Sequence, residues 1–252
     1  MRTVCILAAV LAVAAQAGEA PSPPSAPSAK PAYEPTSHYR LQDIEGWPVY
    51  VHQRLVEGDR KAIGDETLKL LRSKLLDANR RFPKEALGDL HKVKIWLEAD
   101  SKDVVAACYH PSRGWLEEHG FNPEKAKSIE IGRPENFLAW EDHQPAMMIH
   151  ELAHAYHHQV LGYDQPDIKA AFQRAVEGKS YESVLRFDGR PGRHYALNND
   201  QEYFAETTEA YFATNDFYPF VRAELEQHDP EMVKVLRKVW IERWKTPETP
   251  KP

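Results

Sequence analysis

The fold class predicted by the sequence is α+β, with a small mixed sheet in the N-terminal half of the folded region and a mainly helical C-terminal half. Three observations predict it. Short strand-like runs, Trp47-Pro48-Val49-Tyr50-Val51, Val93-Lys94-Ile95-Trp96-Leu97 and Ile129-Glu130-Ile131, come early in the chain. From Gln144 onward the pattern is helical, interrupted at Gly162 and at Asp188-Gly189-Arg190-Pro191-Gly192. With 252 residues, 42% of them hydrophobic, the chain is long enough to bury one sizeable core.

The N-terminus reads as a signal peptide over 1–17. Arg2 precedes an unbroken apolar run from Val4 to Ala14, and Ala15-Gln16-Ala17 has the small-x-small form of a cleavage site. The run is too short to span a bilayer comfortably, so the sequence predicts export to a periplasm or to the outside, with no stable membrane insertion after processing. Cys5 lacks the small-residue context of a lipid-modified cysteine. Residues 18–38 form a Pro/Ser/Ala-rich linker, densest between Pro21 and Pro35, where proline removes backbone donors and no core can form. The folded domain is expected over 39–245, and the proline-punctuated segment 246–252 reads as a disordered tail. After processing only Cys108 remains, so no internal disulfide is available, and a buried apolar cysteine is the expectation.

Within the domain, Trp47–Val51 reads as a strand near an edge because it carries Pro48. Leu68, Leu71, Leu75 and Leu76 give Glu66 to Arg80 a helical stripe. Asp229-Pro230-Glu231 begins a late helix, with a cap residue ahead of proline at the first helical position, and Val233, Leu236 and Trp240 form its buried stripe. The formal charge of −6, without a basic block, argues against nucleic acid as a partner.

The 12 histidines draw attention to the helix predicted over Pro145 to Leu161. It contains His150-Glu151-Leu152-Ala153-His154 among the apolar residues Met147, Met148, Ile149, Leu152 and Val160. Histidines four apart stand about 40° from each other on a helix, one turn apart, so both imidazoles reach one ion. Zn2+ takes such nitrogen ligands and, in catalytic sites, adds a third protein ligand and a water. Glu151, beside His150, is placed to act as general base on that water. A three-histidine pattern is excluded, because Val160 stands where its third histidine belongs. His157 is expected in a supporting or rim role, His158 at the surface, and Asp142 and His143 as residues leading into the helix. His110 reads as a rim or core histidine within Ala106-Ala107-Cys108-Tyr109-His110, a candidate edge strand for aligning a peptide. The third ligand is sought in Asp200-Gln201-Glu202-Tyr203-Phe204-Ala205-Glu206-Thr207-Thr208-Glu209-Ala210-Tyr211-Phe212. Glu202, Glu206 and Glu209 share one helical face but are interleaved with core aromatics, and acidic groups in such company call for a cation. The spacing alone leaves open which of the three is the ligand.

His150-Glu151-x-x-His154 followed by Glu202-Tyr203-Phe204-Ala205-Glu206 resembles the gluzincin metallopeptidases. The resemblance is to the branch containing the anthrax lethal factor catalytic domain and the bacterial Mtf-type peptidases, and it covers Gln144 to Phe212. It implies a zincin-like domain, Glu202 as third zinc ligand, and Tyr195, seven residues earlier, as the group that stabilises the transition state. Glu206 would then orient a ligand imidazole. One departure is Ala153, where the lethal-factor type has glycine. The expectation is an exported zinc metallopeptidase, a metalloendopeptidase, acting on a peptide or protein. The alternatives are a hydrolase of cell-wall peptides and a non-catalytic zinc-binding protein of the same fold.

Overall fold

A computed structural model describes residues 33–244, so the expected signal peptide, most of the linker and the C-terminal tail lie outside the described residues. The domain begins with residues assigned to the linker by the sequence. Thr36–His38 forms a helical turn, and the Asn122 side-chain amide donates to Glu34 O and Thr36 Oγ1.

The fold is mixed α and β, with a small mixed sheet in the N-terminal half. Five strands, β1 (Tyr39–Ile44), β2 (Trp47–His52), β3 (Ile95–Leu97), β4 (Ala107–His110) and β5 (Ser128–Ile131), pair in the order β1-β2-β3-β5-β4. The β2-β3 and β3-β5 pairs are parallel, and the two outer pairs are antiparallel. β2 lies one place in from the edge. Its proline faces Asp43 of β1 and precedes the β3 register, which starts at Val49↔Ile95, so no ladder donor is lost there.

The pleat separates two chemistries. Val49, Val51, Ile95, Leu97, Ile129 and Ile131 are fully buried and belong to the hydrophobic core that also holds the helices. On the other face Tyr50, Trp96, Glu130 and Cys108 lie side by side in register, with Tyr50 and Trp96 stacked at 4.3 Å. Beneath this face runs a buried polar chain. The Tyr39 hydroxyl donates to Glu98, Lys125 bridges Glu98 (2.6 Å) and Glu130 (3.1 Å), and His110 Nε2 meets Glu130 Oε2 at 2.8 Å. His110 is thus a core histidine. Cys108 is half-buried, its Sγ 3.5 Å from His110 Nε2, in a more polar setting than expected.

Helix α1 (Gln53–Val56) leads into α2 (Lys61–Arg81), which buries Gly64, Thr67, Leu71, Leu75 and Ala78. Leu71 and Leu75 of the expected stripe are fully buried and Leu68 packs against the core, while Leu76 is 36% exposed and falls outside it. Gly64 is required by packing, since an added Cβ would stand 2.1 Å from Leu55 O. After α3 (Lys84–Leu90), α4 (Arg113–Glu118) and α5 (Pro134–Ala139), the chain becomes helical: α6 (Met147–Tyr156), α7 (Pro166–Gly178), α8 (Asp200–Phe212), α9 (Arg222–His228) and α10 (Pro230–Leu236). A two-residue hairpin, Val184–Leu185 with Pro191–Gly192, forms the expected interruption. Asp229 caps α10 through Met232 N, as its sequence predicts. The α6 helix packs on β4, β5 and α8, which brings the histidine motif and the glutamate-rich helix together.

Candidate metal centre

Helix α6 starts at Met147. Pro145 lies in the preceding turn, where its carbonyl accepts from Lys74 Nζ at 2.7 Å. Met148, Ile149, Leu152, Ala153 and Tyr156 anchor one side of the helix in the core. Ala153 is fully buried, so the methyl at this position fits the packing. The opposite side presents His150 and His154 to α8. The N-terminus of α8 is set by Asn199, whose side chain accepts from Glu202 N at 2.8 Å. From Tyr203 to Tyr211 every α8 residue is buried, with Glu206 2% and Glu209 4% exposed. A solvated acidic face is therefore excluded, and these carboxylates sit inside the protein.

Three donor atoms converge. His150 Nε2 and His154 Nε2 are 3.0 Å apart, and Glu202 Oε2 is 3.1 Å from the first and 3.3 Å from the second. Tetrahedral Zn2+ with bonds of about 2.0–2.1 Å needs its ligands about 3.3 Å apart, so the three atoms stand close to that spacing. His150 Nδ1 lies 2.6 Å from Glu209 Oε1, which fixes the Nδ1–H tautomer and leaves the Nε2 lone pair facing the other two donors. Lone pairs brought together in this way repel unless a proton or a metal ion lies among them, so the donor set fits a divalent cation. Burial alone would lower the His150 pKa, but the Glu202 and Glu209 carboxylates raise it well above its ordinary value. Burial would raise the Glu202 pKa, yet the two imidazoles hold it below the usual carboxylate range.

The carboxylate within hydrogen-bond distance of His150 Nδ1 is Glu209, where Glu206 was expected. Glu206 Oε1 is 3.8 Å from His150 Nδ1, and its Oε2 is 3.7 Å from His194 Nδ1. Both glutamates lie on the same face, so helical spacing could not choose between them.

A cavity of about 390 Å³ opens on these groups and is also lined by Glu151 and Tyr195. That volume suits a ligand-sized occupant. Glu151 is 7% exposed; burial raises its pKa against the opposing pull of His150 and His154, as a general base near neutrality requires. Tyr195 begins a one-turn 3-10 helix, Tyr195–Asn198, with its ring 6.5 Å from that of His150. The edge strand β4 contributes Ala107 to His110 to the same wall.

His157 and His158 are placed differently from expectation. The α6 helix passes into a π-helical turn, His157–Leu161. His157 is fully buried against Phe204 and Tyr163, and neither ring nitrogen has a hydrogen-bond partner among the described residues. It is therefore a packing histidine rather than a rim group, and burial pushes its pKa down to about 3. His158 is half-buried; its Nδ1 lies 2.8 Å from the Tyr109 hydroxyl and its ring stacks on Tyr163. Sequence reasoning missed Tyr163, which lines the cavity immediately after Gly162.

A second histidine-carboxylate group, Glu34, His38 and His52, lies near the N-terminus. There His52 Nδ1 accepts from Arg54 N, which leaves Nε2 carrying the proton towards Glu34. No family model, no curated protein and no solved structure matches the chain.

Proposed function

We propose that this protein is an exported zinc-dependent peptidase with a zincin-like catalytic domain, acting on internal bonds of a peptide or protein. The observation that carries the reading is the convergence of His150 Nε2, His154 Nε2 and Glu202 Oε2 beside Glu151, in a cavity that Tyr195 also lines. Zn2+ held by these three ligands would supply Lewis acidity, lowering the pKa of a coordinated water to about 7 and polarising the scissile carbonyl.

The chain's own groups have the remaining roles. Glu151 takes the proton of the attacking water and later delivers it to the leaving amine, and its raised pKa favours the first transfer. The Tyr195 hydroxyl donates to the carbonyl oxygen as negative charge develops there. Burial and neighbouring carboxylates raise the Tyr195 pKa, which keeps that hydroxyl a donor. Glu209 holds the His150 tautomer and raises the basicity of the ring. Export rests on the apolar run Val4 to Ala14 and the Ala15-Gln16-Ala17 site.

Metal analysis and a peptide-cleavage assay test the reading together. Wild type, Glu151→Gln and Glu206→Ala should each purify with one zinc per chain, and Glu202→Ala with none. Glu151→Gln should lose about 10²- to 10⁴-fold in rate while keeping its metal. A wild-type protein that takes up no zinc, or a fully active Glu151→Gln, would overturn it.

A further inference from the structure

Tyr163 owes its position to the π-helical turn. That turn ends at Gly162, whose φ of 80° and ψ of 140° suit only glycine, and Tyr163 follows it. The Tyr163 ring is held on two sides: it stacks on His158 at 4.7 Å and 20°, and meets His157 edge-on at 5.1 Å and 90°. His158 is itself tied to the Tyr109 hydroxyl of β4, and His157 is locked against Phe204 of α8. Clamped in this way, the ring has little freedom to leave the cavity that it lines together with Glu151, His154 and Glu202.

Its hydroxyl differs from those of five other tyrosines. The hydroxyls of Tyr39, Tyr109, Tyr156, Tyr181 and Tyr203 each engage a protein partner: Glu98, His158, Val239 O and, for the last two, Asp229. The Tyr163 hydroxyl has no hydrogen-bond partner among the described residues. A hydroxyl without a protein partner, on a ring that lines the cavity, is available to whatever fills the cavity. Burial, and after it the charges of Glu202 and Glu151, keep this phenol protonated, which makes it a donor beside two carboxylates.

We propose that Tyr163 is a second hydroxyl donor to the substrate, reaching the tetrahedral centre from the side of Glu151 and Glu202 while Tyr195 reaches it from the side of His150. The assignment rests on the peptidase reading above. Tyr163 is thus a catalytic residue, while His157 and His158 act through it as positioning residues. Two tyrosines sharing a developing negative charge predict that neither alone abolishes the reaction.

The test is Tyr163→Phe, which removes only the hydroxyl and keeps the ring in its clamp, so the melting temperature should stay at the wild-type value. On the zinc-loaded protein, kcat should fall about 10- to 100-fold with little change in KM. A phosphinic peptide, whose tetrahedral anionic centre imitates the transition state, should bind about tenfold more weakly by calorimetry. A substrate peptide bound to the Glu151→Gln protein should lose less than threefold on adding Tyr163→Phe. Wild-type kcat and wild-type phosphinate affinity in Tyr163→Phe would overturn the proposal and leave the peptidase reading standing. A wild-type protein that neither holds zinc nor cleaves peptides would overturn both.

Discussion

Under the sheet, Glu98 and Glu130 are buried at 6% and 1% exposure with Lys125 between them. Between α6 and α8, Glu206 and Glu209 are comparably buried beside Glu202, yet among the described residues no lysine or arginine lines the cavity they share. The first cluster carries its own cation: Lys125 spans both carboxylates, while Tyr39 and His110 complete their hydrogen bonding. The attraction is strong enough to raise the Lys125 pKa against the effect of burial and to depress that of Glu130. The second cluster has only imidazoles, and the ring nearest the carboxylates is driven towards its charged form. A buried carboxylate is tolerated where positive charge stands beside it. One cluster therefore reads as closed architecture, and the other as a place where a metal ion can take over from a protonated imidazole.

The comparison breaks most visibly if Lys125 is removed. Lys125→Met should cost about 3–5 kcal/mol of stability in denaturant unfolding, because two carboxylates are left buried without their cation. Zinc content should be unchanged. A variant as stable as wild type would show that the lower cluster needs no internal charge, and the contrast with the site would collapse. The next effect is smaller and falls on the other cluster. Glu209→Gln keeps an acceptor for His150 Nδ1 but loses the charge, and zinc affinity should drop about 10- to 100-fold by competition with a chelating dye. If the loss appears in Glu206→Gln and not here, the 3.8 Å neighbour is the orienting group after all.

What could be read from the sequence follows the same division. Two histidines four apart are locally determined, so their convergence was legible from the α6 pattern, and the spacing of three glutamates put α8 opposite them. The partner of His150 was not legible. It depends on how far α8 slides along α6, and Glu206 and Glu209 share a face. His157 keeps the α6 periodicity, but Phe204 and Tyr163 close over the ring, and which segments cover a given helical turn is not written in local spacing. Strand β1 escaped notice because it is an edge strand with Leu41 61% exposed, so its apolar residues do not alternate. The Lys125 bridge joins residues from separate segments across the sheet, and no local pattern announces it.

His157 sharpens the contrast from within the site's own helix, since it is a buried histidine that no carboxylate is shown to face. Its pKa is pushed down to about 3, chiefly by burial and secondarily by His154, His158 and Lys169. In the unfolded chain it titrates near 6.5, so between about pH 6.5 and 3 the unfolded state binds a proton that the fold refuses. The stability linked to this ring is therefore complete above about 6.5 and is lost as pH falls towards 3, at up to about 1.4 kcal/mol per pH unit. His150 has the opposite sign in metal-free protein, contributing stability below 6.5 that is lost as pH rises through its elevated folded value. Subtracting a His157→Phe variant from wild type cancels that contribution, because His150 is common to both. The phenyl ring should keep the contacts with Tyr163 and Phe204 without the titration. The stability difference between variant and wild type should shift steadily in the variant's favour as pH is lowered from 6.5 to 4.5 in urea titrations. A difference that stays flat over that range would mean that His157 accepts its proton in the folded state, and that the wall behind the site is less apolar than its packing indicates.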